Sequence, residues 1–268
     1  MLLKDFVGKK GFSELINIAK SLGFCKSLDT KKCYLAAEAY RKNDTESEYI
    51  HVIKSLEKRW YSSLPNNPDY SVYNNHYYII DIYNCWIVYS RKYLSQIQKV
   101  CLFGSTITIK NYISNGSAII DLGCGMGLTT STLKSIYPKK QVFGTNIETS
   151  FQYKIAEHFS KKYNFKIISD ISLLPTNGTI FASEYFEHFQ RPVEHLYQII
   201  KQLRPKHLLI ANTFNGDAIG HFNIYHHLNK KLSSKQMNIF FNKCLKSFGY
   251  KKVKTKLWNN RPALWTKI

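Results

Sequence analysis

Glu184, Glu187 and His188 place two carboxylates and an imidazole in one short stretch, Glu184-Tyr185-Phe186-Glu187-His188. Such groups move protons near neutral pH or hold divalent ions. If the stretch opens a helix, the i, i+3, i+4 spacing lays all three on one face. Acids in a first helical turn are also favoured by the helix dipole alone, so the cluster has a purely structural reading as well. A second constellation precedes it, Asp121-Leu122-Gly123-Cys124-Gly125-Met126-Gly127. Alternating glycines let backbone N–H groups approach a ligand where a side chain would clash. Alone, such a turn fits many nucleotide-binding folds.

The elements that must hold these residues can be read from hydrophobic periodicity. Residues 1–100 read as a helical region. Ser13 to Leu22 carries a helical apolar stripe that stops at Gly23, and Asp29 is placed to cap a second helix running through Tyr40. Glu46 to Trp60 repeats the period. Pro65 and Pro68 mark a loop, and Val72 to Ile97 reads as a long aromatic-rich helix with a break near Asn74–Asn75. Beyond residue 100, apolar strands alternate with helices. Strands are expected at Ser117–Leu122, Gln141–Thr145, Phe165–Ser169, Thr179–Ala182 and His207–Ala211. Helices are expected at Leu128–Tyr137, Ser150–Tyr163, Pro192–Leu203 and Ser234–Phe248. Lys251–Leu257 and Pro262–Lys267 read as a closing hairpin around Asn259–Asn260. The fold class is therefore α/β: a doubly wound, mostly parallel seven-stranded sheet with a C-terminal antiparallel hairpin, spanning 101–268 and preceded by the helical region.

With the glycine turn between a strand and a helix, residues 100–268 resemble the class I methyltransferases that use S-adenosylmethionine. Asp121–Gly127 is similar to that family's first motif. Gly144-Thr145-Asn146 stands where the family ends its second strand with an acid that holds the ribose hydroxyls. Ser169-Asp170-Ile171, followed by Leu174-Pro175, is similar to the adenine-contacting segment, and Leu203-Arg204-Pro205 to the turn before the fifth strand. The resemblance implies S-adenosylmethionine as cofactor, with Asp121, Gly123, Cys124, Gly125, Gly127, Asn146, Asp170, Ile171 and Glu184 at its site. Position 146 departs from the pattern. An amide offers one acceptor oxygen and a donor where a carboxylate accepts from both hydroxyls, so either affinity falls or Glu148 takes the role. A catalytically inactive relative is a further reading. The alternative to ligand contact for Asp121 and Asp170 is turn capping.

The Glu184–His188 pattern is similar to two metal-dependent branches of that superfamily, the ubiquinone-biosynthesis O-methyltransferases and the small-RNA 2′-O-methyltransferases. That likeness implies a divalent ion, Mg²⁺ or Mn²⁺, on Glu184, Glu187, His188 and His221, with His226 as substitute for His221. The ion would lower the pKa of the attacking hydroxyl. Without a metal, Glu187 and His188 remain the catalytic candidates, His188 as general base.

Two absences narrow the acceptor. The [DNS]PP[YFW] turn of enzymes that methylate exocyclic amines of DNA bases is replaced by Ser183-Glu184-Tyr185-Phe186, and none of the six cysteines follows a proline, as the nucleophile of pyrimidine C5 methylation usually does. A hydroxyl or other simple nucleophile is left, attacked in line. Trp60, Tyr61, Tyr70, Tyr73, Tyr77, Tyr78 and Trp86 can stack on rings, or pack the helical region against the rest.

The charge bears on the partner. The chain carries 38 Lys+Arg against 18 Asp+Glu, a net of +20. Residues 1–100 hold 15 basic and 10 acidic residues, and 101–268 hold 23 and 8. Five of those eight acids (Asp121, Glu148, Asp170, Glu184 and Glu187) fall at the candidate site, a field suited to a cationic sulfonium. The basic remainder, including Lys230, Lys231, Lys235, Lys251, Lys252, Lys254 and Lys256, suits nucleic acid or is solvated surface. Three functions follow: an O-methyltransferase of nucleic acid or a nucleotide-like acceptor, a small-molecule O-methyltransferase, and a non-catalytic module in a nucleic-acid complex. No stretch is long and apolar enough to span a membrane, since His76–Tyr89 is broken by Asp81 and Asn84. With no secretory signal pattern and scattered cysteines lacking zinc spacing, a reduced, cytoplasmic setting is expected.

Overall fold

The computed structural model describes residues 7–42, 48–64, 66–257 and 261–268. Seven strands form the main sheet among them: β1 (Ile119–Leu122), β2 (Val142–Thr145), β3 (Lys166–Ile168), β4 (Thr179–Ser183), β5 (His207–Ala211), β8 (Tyr250–Lys252) and β9 (Ala263–Lys267). Their order is β3-β2-β1-β4-β5-β9-β8, parallel through β5 and antiparallel beyond it. β1, β2 and β5 are buried along their whole lengths, as apolar strands covered on both faces must be. The turn of the expected closing hairpin, at Asn259–Asn260, lies outside the described residues, as does Glu46 at the start of the third expected helix.

Local chemistry sets the helix ends. Leu128–Ile136 starts from Gly127 at φ +83°. Phe151–Tyr163 is capped by the Ser150 hydroxyl, which accepts from the Tyr153 N–H, and ends at left-handed Asn164. Pro192 opens Pro192–Leu203, where its missing N–H is harmless. Ser233 and Gln236 form a capping box for Ser234–Ser247. An antiparallel ribbon absent from the sequence reading, β6 (Ile224–His227) with β7 (Lys230–Ser233), precedes that helix.

The helical region packs onto the sheet through one continuous apolar core. Asp29 does cap its helix, accepting from the Lys32 N–H at 2.7 Å. The long aromatic helix is divided. A 3₁₀ turn, Tyr70–Asn74, gives way to Tyr78–Cys85, a π turn at Trp86–Ser90, and Arg91–Lys99. The break is Asn75, which is extended and whose side chain accepts from the Tyr77 N–H. On the helix, Tyr78, Asp81, Ile82 and Cys85 share a face by their 3–4 residue spacing. The wider π turn keeps Trp86 and Ser90 on the same side.

The Glu184–His188 segment departs from expectation. Only Phe186–His188 turns, as a single 3₁₀ turn. Glu184 sits at φ +51° because its N–H extends the sheet pairing to the Ala211 carbonyl, so Glu184, Glu187 and His188 do not share a helix face.

Candidate functional site

The parallel strands leave a crevice where their order reverses, at the carboxyl ends of β1 and β4. A cavity of about 820 Å³ lies there. Its floor is the Gly123–Gly127 turn. All three glycines take positive φ, +65°, +53° and +83°. A Cβ on Gly123 would fall 2.4 Å from the Tyr185 ring, and one on Gly127 3.1 Å from the Ala156 Cα. Thr145 clamps the turn from β2: its hydroxyl accepts from the Gly123 N–H at 3.1 Å and its carbonyl from the Cys124 N–H at 2.9 Å. The N–H groups of Gly125 and Met126 have no acceptor among the described residues, and both residues line the cavity. Asp121 lies beneath, 2% exposed, and accepts from the Thr130 hydroxyl at 2.6 Å. Burial pushes its pKa up to about 7, against that hydrogen bond.

The roof is the helical region, contributing Tyr70, Tyr73, Tyr78, Asp81, Trp86 and Ser90, with Phe189 on the opposite wall. No Lys or Arg is among the described residues that line the cavity. Tyr73 reaches across to His188, Oη to Nδ1, at 3.1 Å. The approach needs Gly220, where a Cβ would lie 1.8 Å from that Oη. The His188 and His221 rings are 4.9 Å apart. Burial, then the neighbouring His221, pulls the His188 pKa down to about 3, so its imidazole is neutral.

No protein-family model matches the chain. It is 26% identical over 148 residues to the mitochondrial ubiquinone biosynthesis O-methyltransferase of Saccharomyces cerevisiae, covering 47% of each chain. It is 28% identical over 131 residues to the malonyl-(acyl-carrier protein) O-methyltransferase of Halalkalibacterium halodurans, covering 46% of each. The chain spans about half the length of the curated relatives it matches. Among solved structures, an O-methyltransferase family protein from Burkholderia thailandensis superposes with a TM-score of 0.53 at 8% identity, over 82% of this chain and 71% of that one. Over about half its length the chain is similar to these two O-methyltransferases, and its fold is that of the solved methyltransferase. The cavity of this methyltransferase fold suits the cofactor on its own terms. A glycine floor leaves N–H groups free for a carboxylate, and four acids (Asp81, Asp121, Glu148 and Glu184) line a space without Lys or Arg among the described residues, a field that suits a sulfonium cation.

Of the cofactor residues expected from sequence, Asp121, Gly123, Cys124, Gly125, Asn146, Ile171 and Glu184 line this cavity. Gly127 supports it as the N-cap of Leu128–Ile136. Asn146 spends its amide on the floor: Nδ2 donates to the Gly125 carbonyl at 2.8 Å and Oδ1 accepts from the Ile147 N–H at 2.8 Å. A carboxylate could not make the first bond, which accounts for the amide. Asp170 does not line the cavity. Its carboxylate accepts from the Ser172 N–H at 2.8 Å, capping the 3₁₀ turn Ile171–Leu173, and those Ser172 hydrogen bonds lower its pKa.

The expected metal cage is not shown. No group of three or more His, Cys, Asp or Glu side chains is disposed to hold an ion among the described residues. Each expected ligand is directed elsewhere. Glu184 accepts from Arg261 Nη2 at 2.7 Å. Glu187 is fully buried, its Oε1 accepting from the Thr213 N–H at 2.6 Å. Burial and then the Glu184 charge raise the Glu187 pKa well above the usual range. His221 Nδ1 donates to the Gly216 carbonyl at 2.7 Å. His226 lies in β6, its N–H bonded to the Gln190 carbonyl.

Sequence reasoning missed Arg261, which also donates to Thr213 Oγ1 at 2.5 Å and Tyr93 Oη at 2.8 Å. No local signal marks it. The aromatic set divides: Tyr70, Tyr73, Tyr78 and Trp86 line the cavity, while Trp60 is fully buried with its indole N–H on the His221 carbonyl at 2.5 Å. Tyr61 and Tyr77 bond Ala218 and Glu48.

Proposed function

We propose that the chain is an O-methyltransferase that moves the methyl group of S-adenosylmethionine to a hydroxyl of a small, flat, uncharged acceptor. The observation that carries this reading is the roof, an aromatic-walled cavity without Lys or Arg among the described residues, in a chain of net charge +20. Aromatic walls recognise planar rings, and a lining without Lys or Arg among the described residues offers a phosphate no ion pair. When bound, S-adenosylmethionine supplies an electrophilic methyl on a sulfonium centre.

His188 is the general base in this reading. The role requires the tautomer in which Nδ1–H donates to Tyr73 Oη, 3.1 Å away, so that Nε2 carries the lone pair. An acceptor hydroxyl that gains this methyl would become far more acidic. Its proton passes to Nε2. An imidazole held at about pKa 3 is a weak base at rest, yet basic enough for an oxonium proton. The aromatic roof and Ser90 orient the acceptor and exclude water.

A second reading, methylation of nucleic acid, draws on the net charge and on Lys230, Lys231, Lys235, Lys251, Lys252, Lys254 and Lys256, all exposed. Methyl-labelled cofactor offered with a panel of phenolic acceptors and with RNA and DNA separates the two. Label in a phenol and none in polynucleotide is expected. Transfer to polynucleotide, falling steeply with salt, overturns the small-acceptor reading.

A further inference from the structure

We propose that Asp81, from the helical roof, receives the α-ammonium group of the cofactor's methionine half. The inference rests on the reading of the cavity as an S-adenosylmethionine site and adds a contact that the glycine floor does not supply.

Asp81 is an acid within an apolar stretch, where charged residues are seldom placed without a partner. It lies on Tyr78–Cys85, on the face that lines the cavity. That turn of helix sits over the floor, since a Cβ built on Gly125 would be 3.3 Å from the Ile82 side chain. All four acids lining the cavity accept a hydrogen bond, short on Asp121 and Glu184 and long, at 3.3 Å, on Asp81 and on the exposed Glu148. Asp121 accepts from Thr130, Glu148 accepts from Ser169 at 3.3 Å, and Glu184 accepts from Arg261. Asp81 has a long hydrogen bond from Tyr49 Oη, 3.3 Å, and pairs with no Lys or Arg among the described residues. Burial pushes its pKa up to about 6, with only that hydrogen bond opposing. A half-buried carboxylate open to a cavity and lacking a cation is stabilised by a ligand that brings one. The cofactor brings two cations, but a sulfonium has no N–H to donate, whereas an ammonium has three. The ammonium belongs to the end of the molecule whose carboxylate suits the free Gly125 and Met126 N–H groups.

Titration calorimetry on the full chain tests this with two ligands. S-adenosylhomocysteine carries the ammonium; 5′-methylthioadenosine has the same nucleoside and a thioether but lacks it. Asp81→Asn keeps the volume and an acceptor for Tyr49. It is expected to weaken S-adenosylhomocysteine on the order of 10- to 100-fold, as loss of a charged hydrogen bond does, and to leave methylthioadenosine within about 2-fold. On the unaltered chain, which guards against a variant that does not fold, N-acetylation of S-adenosylhomocysteine is expected to cause a loss of the same order. Unchanged affinity for S-adenosylhomocysteine, equal losses for both ligands, or tolerance of the acetyl group overturns the role of Asp81 alone. Failure of the unaltered chain to bind either ligand overturns the cofactor reading together with it.

Discussion

The floor and the roof of the cavity are made of different materials. The floor is backbone: Gly123–Gly127 at positive φ, clamped by Thr145 and Asn146, with N–H groups left over. The roof is side chain: Tyr70, Tyr73, Tyr78, Asp81 and Trp86 on helical turns from the other end of the chain. Backbone can hold a ligand whose shape never varies, because a loop of fixed dihedrals presents the same groups every time. Side chains on a helical face can be exchanged without disturbing the sheet. The floor therefore suits the invariant cofactor and the aromatic side chains of the roof the particular acceptor, with Asp81 the roof's one cofactor contact, and substitutions in the floor and in the aromatic roof should separate in what they change.

The largest effect is expected in the floor. Gly127→Val puts a branched side chain at φ +83°, with its Cβ 3.1 Å from the Ala156 Cα. It should destabilise the fold by about 2–4 kcal/mol, read in a thermal melt, and abolish S-adenosylhomocysteine binding in calorimetry. A stable, binding-competent Gly127→Val chain would break the comparison at once.

Between floor and roof, His188→Ala should lower kcat by roughly 10²- to 10³-fold and leave S-adenosylhomocysteine affinity unchanged. Its pH behaviour gives a second check. The folded His188 pKa of about 3 lies below the ordinary 6.5, so the unfolded chain takes up a proton first as pH falls. The stability this residue contributes is complete above about 6.5 and is lost toward 3. Acid should therefore destabilise the unaltered chain more than His188→Asn, and kcat/KM should show no His188 limb near 6.5.

In the roof, Tyr70→Ala touches an exposed ring at the cavity mouth, 55% exposed. It should raise the acceptor KM about 3- to 10-fold with cofactor affinity and stability nearly unchanged; a matching loss of cofactor affinity would erase the distinction. An effect of similar size, but on the cofactor, is expected for Asn146→Asp. It supplies the acid that the resemblance implies at this position but sets a carboxylate against the Gly125 carbonyl. A loss of cofactor affinity of about 3- to 10-fold is expected, and a gain would return the ribose role to this position.

The same contrast governs what could be read from sequence. Pro192–Leu203 and His207–Ala211 form over the residues expected, because proline, glycine-like turns and unbroken apolar runs are local signals. The floor was legible for that reason: glycines at fixed spacing between a strand and a helix have few other uses. The Glu184–His188 segment was not, since its path depends on the Ala211 carbonyl and the Thr213 N–H, both on a different strand end. Arg261 meets Glu184 across 77 positions, a pairing no periodicity encodes. Asp170 satisfies its own turn, the structural alternative to ligand contact. Asp81 is visible in the sequence as an acid in an apolar helix, but only the fold shows that it faces the glycine turn.

A crystal structure of the full chain with S-adenosylhomocysteine tests the central claim most directly. The account predicts the homocysteine half on the Gly123–Gly127 turn under Ile82, with its sulfur facing the His188 side of the cavity. Binding elsewhere, or a cavity that stays closed to the nucleoside at saturating concentration, would contradict it.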